Sequence, residues 1–90
     1  MNGKAKAERS RSYVSTVHRT ARGYRVSFPD LPGCVAEGVN VDEAMRNART
    51  ALRGHLAELR KAKAEIPPPR AFHQVILSAD GKGAIAYILI

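Results

Sequence analysis

One helix constrains the layout of this chain more than any other feature. From Val41 to Ala62, apolar residues recur at spacings of three and four: Val41, Ala44, Met45, Ala48, Ala51, Leu52, Leu56, Leu59 and Ala62. At about 100° per residue these positions merge into one continuous stripe. Asn40 is a good N-cap, and Glu43 three residues on completes a capping-box pattern. Asp42 and Glu43 also suit the positive end of the helix dipole. Pro67-Pro68-Pro69 cannot continue a helix, so its end is expected by about Ala64 or Glu65. A helix apolar along one side must bury that side against another layer. The rest of the chain therefore has to supply a sheet.

The preceding residues read as that sheet. Ser12–His18 opens it, because Tyr13, Val14, Thr16 and Val17 favour extended backbone. Thr20-Ala21-Arg22-Gly23 reads as a turn. Tyr24-Arg25-Val26-Ser27-Phe28 then alternates, with Tyr24, Val26 and Phe28 on one face. Pro29-Asp30-Leu31-Pro32-Gly33 interrupts the ladder, since two prolines remove backbone donors. Cys34–Glu37 forms a short third strand, ended by Gly38. Val75-Ile76-Leu77 fits either a strand or one helical turn. Asp80–Gly83 is a turn, and Ala84–Ile90 has the composition of a strand apolar on both faces. The order is strand, strand, strand, helix, strand: an α+β domain with one helix on one face of a small mixed sheet. The last strand is expected beside the first, with a right-handed crossover if the two are parallel. One domain, 12–90, accounts for the periodic sequence, preceded by a basic, disordered tail at 1–11.

With 90 residues there is room for one domain, and a hydrophobic fraction of 44% argues against wholesale disorder. No apolar run approaches the roughly 18 residues that a membrane span needs, and no signal peptide is visible. The single cysteine suits a reducing cytosol, so the chain is expected to be cytoplasmic. The formal charge is +7, and Lys4, Lys6, Arg9 and Arg11 place much of it in the tail. Such an excess favours an anionic partner.

Residues that could carry chemistry are scattered. Among the acids, Asp42 and Glu43 serve the helix start, Glu8 is in the tail, and no strand interior carries one. His18, His55 and His73 have no metal-ligand spacing. Cys34 has no base beside it and reads as a buried small hydrophobe. No catalytic residue, metal or cofactor is expected. Two features invite contact with another molecule instead. The turn-forming loop around Phe28, Asp30, Leu31 and Pro32 is in the first place a structural bend. It also offers Asp30 and Leu31 as a rigid surface beside a strand edge. Arg46, Arg49, Arg53 and Arg60 fall within a narrow arc that flanks the apolar stripe. They form either a solvated helix face or a contact for phosphate or an acidic protein face.

Tyr24-Arg-Val-Ser-Phe-Pro-Asp-Leu-Pro-Gly-Cys34 resembles the signature strand and loop of the HicB antitoxins. Gly38-Val-Asn-Val-Asp-Glu-Ala44 follows at the matching distance. Asn47-Ala48, Ala51-Leu52 and His55-Leu56 are similar to the family's helix, and Ile66-Pro67-Pro68-Pro69 to the segment that closes it. The resemblance implies a partial ribonuclease H-like sheet and helix. It implies a non-enzymatic antitoxin that binds and blocks a HicA-type mRNA-cleaving toxin by covering its active site. Homo-oligomers, dimers or tetramers, are implied as well. Many such antitoxins carry a C-terminal DNA-reading segment. This sequence ends at Ile90, after the last expected strand, so DNA binding by this chain alone is not expected. Apolar positions on the last strand, Tyr87, Ile88 and Ile90, are expected to drive self-association or toxin contact. The rival reading from charge is a basic nucleic-acid-binding domain, and a third is an orphan oligomer without a toxin.

Overall fold

A computed structural model describes residues 12–90. The expected basic tail at 1–11 lies outside the described residues. Four strands form one sheet: β1 (Val14–Thr20), β2 (Gly23–Ser27), β3 (Val35–Gly38) and β4 (Ala86–Leu89), in the order β3-β2-β1-β4. The long helix α1 spans Val41–Lys61, and a short helix α2 spans Phe72–Ile76. A 3₁₀ turn at Ala79–Gly81 precedes β4.

α1 starts as its sequence dictates. The Asn40 side chain accepts from the Glu43 N–H at 2.8 Å, and Glu43 accepts from the Val39 N–H at 2.7 Å, closing the capping box. It ends a few residues before the triple proline demands. Lys63 takes the left-handed region with φ 57°, and the Ala64 and Lys63 N–H groups bond to the Leu59 and Arg60 carbonyls. This Schellman closure satisfies the last carbonyls without help from proline. One exposed position in α1 departs from helix preference. A Cβ added at Gly54 would meet nothing within 4 Å. Gly54→Ala is therefore expected to raise unfolding free energy by about 0.5–1 kcal/mol in urea denaturation, because only the flexibility of glycine is lost.

The register sets which side chains meet α1. Val17 pairs with Val26, Val26 with Ala36, and Val17 with Ala86. By alternation, Tyr13, Val17, Val26, Phe28 and Cys34 share the helix-facing side. With Ala44, Met45, Ala48 and Leu52 they make the core, each at most 8% exposed. β3 closes directly onto the first turn of α1: a Cβ on Gly38 would run into the Ala44 backbone.

Among the described residues every pairing in the sheet is antiparallel, so it is not mixed and holds no parallel crossover. A strand entered straight from α1 would run parallel to β1. Residues 62–85 instead carry the chain back across the other face of the sheet, and β4 starts from the opposite end. That traverse resolves the ambiguity at Val75-Ile76-Leu77 in favour of a helix, α2. It also covers β1 from behind. Val14 and Thr16 point away from α1, yet they are 0% and 1% exposed, and Val75 of α2 is equally buried. The first half of β1, Val14 to Val17, is thus buried on both faces. The polar Ser15 in it is satisfied, with its hydroxyl donating to the Ile88 carbonyl at 2.7 Å.

Candidate partner-binding surface

The traverse is pinned by hydrogen bonds that no short motif announces. The Tyr13 hydroxyl donates to the Pro67 carbonyl at 2.5 Å. Arg70 is the central tie. Its backbone N–H and Nε donate to the two Asp30 oxygens at 2.7 and 2.5 Å, and its Nη2 donates to Asp80 at 2.7 Å. The paired carboxylates push the Arg70 guanidinium pKa further up, the Asp80 bond contributing most. In return Arg70, with the Ser78 hydroxyl, holds the Asp80 carboxyl below the usual carboxylate range. At the end of the traverse His18 Nε2 lies 2.9 Å from the Lys82 carbonyl, and the Tyr87 hydroxyl donates to the Gly81 carbonyl.

These ties correct the reading of the Phe28–Gly33 loop. Phe28 and Leu31 are 2% and 1% exposed and belong to the core, so they hold the loop in place and are not offered to a partner. The loop turns inward because the Leu31 and Cys34 N–H groups bond to the Phe28 and Leu31 carbonyls, and the Phe28 N–H bonds to the Cys34 carbonyl. Asp30, whose side chain is 7% exposed, is engaged by Arg70. Of the four loop residues only Pro32 stands in solvent. Cys34 lies in the core, where burial pushes its thiol pKa up.

β4 also differs from expectation in which residues face outward. The Tyr13 and Ile90 backbones exchange two hydrogen bonds of 2.9 Å, and Ile88 pairs with Ser15. Ile88 and Ile90 therefore point to the α1 side and pack against the core. The opposite parity, Ile85, Tyr87 and Leu89, takes the other face. Ile85 and Leu89 are each 56% exposed there. The Phe72 ring meets Tyr87 edge-on at 6.2 Å, and Ile76 lies one turn further along α2. Phe72 and Ile76 are 39% and 40% exposed, and Leu77 is 83% exposed. β4 is an edge strand, so among the described residues its outer backbone groups have no partner strand. An apolar patch thus borders an open edge, which is the arrangement that invites another protein. Sequence reading missed Phe72, Ile76, Leu77, Ile85 and Leu89. The i, i+4 pair Phe72 and Ile76 was the available signal.

Arg46, Arg49, Arg53 and Arg60 are all exposed on α1, a different element from those that carry the β4 patch. The candidate residues therefore do not converge on one site. Among the described residues no three His, Cys, Asp or Glu side chains gather as a metal-holding group. Among the same residues no helix is long and apolar enough to cross a membrane.

An antiparallel sheet with one long amphipathic helix on its front, a pinned traverse on its back and an apolar open edge defines a small α+β domain. Residues 13–90 match the family described as the HicB_like antitoxin of bacterial toxin-antitoxin systems. The chain belongs to that family, the HicB-like antitoxins. Its fold is that of the N-terminal domain of the Burkholderia pseudomallei antitoxin HicB, with a TM-score of 0.72 at 25% identity, covering 88% of this chain and 94% of that one. It is similar, with a TM-score of 0.73 at 26% identity, to a chain in the structure of the HicA3 and HicB3 toxin-antitoxin complex, covering 87% and 93%. An uncharacterized 14.9 kDa protein from the rep-hol intergenic region of Haemophilus phage HP1 is 31% identical over 77 residues. That alignment takes in 86% of this chain and 58% of the phage protein, so the chain spans under two thirds of its relative's length.

Proposed function

We propose that this chain is an antitoxin that binds a HicA-type mRNA-cleaving toxin and inhibits it by covering its active site. Family membership across residues 13–90 supports this most directly. The similar chain in a HicA3 and HicB3 complex supports a partner of that type. The contact surface is the open edge of β4 with Phe72, Ile76, Ile85 and Leu89 beside it, because those apolar groups are exposed to solvent among the described residues. The role is steric and non-enzymatic, it needs no cofactor, and the protein works in the cytoplasm. The same edge supports assembly into a homo-oligomer, since unpaired strands pair readily.

The purified full chain, titrated into a purified HicA-type toxin of the same source, is expected to stop RNA cleavage at a stoichiometric ratio. Full cleavage at a tenfold excess of the chain would sink the proposal.

A further inference from the structure

The outer side of α1 carries a charge pattern that the antitoxin role leaves unused. Arg46, Arg49, Arg53 and Arg60 fall within about 60° of arc at 100° per residue. Arg46 to Arg60 spans about 21 Å at 1.5 Å per residue. Among the described residues, carboxylates within 4.0 Å are found for Arg25 and Arg70 but for none of these four. Between Glu43 and Glu58 the helix has no acid at all. Like charges three and four residues apart weaken a helix, so nothing in the stability of the chain favours this row.

A second observation lies alongside. Thr50, Gly54 and Ala57 form an exposed lane of small side chains beside the arginines. Gly54 disfavours the helix, and the space above it is open, so nothing within the described fold requires a glycine there. A low lane flanked by guanidiniums lets a polyanion's backbone approach closely while arginine forks reach its oxygens from one side. The helix diameter and the width of a duplex major groove are both about 12 Å, and 21 Å is about six base pairs at 3.4 Å each. No aromatic side chain interleaves with the arginines, which argues against a single strand stacked on this face.

We infer that the outer face of α1 binds the phosphate backbone of a nucleic-acid duplex through Arg46, Arg49, Arg53 and Arg60. This surface is independent of the β4 edge, so it works whether or not the toxin reading holds. Base-edge readout is not part of it: the row is built of charge, and the binding is sequence-tolerant.

The test is fluorescence anisotropy of the full chain with labelled 20-base-pair duplexes, one of DNA and one of RNA, between 50 and 300 mM salt. Binding to at least one duplex is expected, with log K falling by about 3 per tenfold rise in salt, near 0.9 for each phosphate neutralised. The triple variant R46Q/R49Q/R53Q is expected to weaken binding at least tenfold at 50 mM salt and to reduce the slope by more than half. Its helix should persist, since glutamine is a good helix former; circular dichroism verifies this. The lysine counterpart, R46K/R49K/R53K, keeps the charge and is expected to retain most of the slope. A tail variant with Lys4, Lys6, Arg9 and Arg11 changed to glutamine separates the two basic regions. Comparison of the two duplexes distinguishes a DNA from an RNA source of the phosphates. No binding at 50 mM salt would overturn the inference. So would binding lost with the tail variant and untouched by the triple variant. A triple variant that loses only a protein partner, with no duplex bound by the parent chain, would overturn it equally.

Discussion

Phe28→Ala is expected to lower unfolding free energy by about 3–5 kcal/mol, because a fully buried aromatic ring is removed from a close-packed core. Domains of this class have roughly 5–15 kcal/mol in total. The variant should therefore be partly unfolded near body temperature. Its ring is 2% exposed and sits beside Leu31 and Cys34 in the core facing α1. The same loop provides an internal control. Pro32 is exposed, so Pro32→Ala should change stability by less than about 1 kcal/mol. Urea denaturation of both variants separates a loop that organises the core from one that only displays side chains. If the two substitutions cost the same, Phe28 is not the anchor that its burial indicates. Loss of partner binding in Phe28→Ala would follow from unfolding and would carry no information about contacts.

What sequence reading recovered, and what it missed, follows from the range of each signal. α1 was legible because cap, periodicity and dipole charges all lie within one segment and agree. β2 was legible because Arg25 and Ser27 mark the solvent side between Tyr24, Val26 and Phe28. The direction of β4 was not legible. It depends on residues 62–85 recrossing the sheet, and that path is held by ties such as Asp30 to Arg70, forty residues apart. No local pattern encodes such a pair. The parity of β4 was hidden for a different reason. Ala84–Ile90 is apolar at every position except the Tyr87 hydroxyl, so alternation had no polar reference. The loop at Phe28 misled in a third way, since prolines and glycine locate a bend but do not say on which side its apolar residues fall. The family resemblance supplied the class of fold, while burial had to come from three dimensions.

That same parity predicts opposite phenotypes for neighbours on one strand. Ile88→Ala should destabilise the fold by about 1–3 kcal/mol, because Ile88 packs on the core facing α1. Leu89→Asp, one residue on, should change stability by about 0.5 kcal/mol or less, since Leu89 is 56% exposed. On the proposed function it should nevertheless weaken toxin capture on the order of 30-fold or more, the loss expected when a central apolar contact becomes a charge. Ile85→Asp should behave like Leu89→Asp, because it lies four residues away on the same face. The physical ground is the period of two: slipping β4 by one residue would swap the two sets wholesale. Thermal denaturation and toxin titration of the three variants therefore test register and contact surface together. Light scattering on Leu89→Asp shows whether the weaker capture accompanies loss of self-association through the same edge. Stability lost at Leu89 and kept at Ile88 would contradict the register itself. Stability kept at Leu89 with toxin capture unchanged would leave the fold intact and move the toxin contact away from β4.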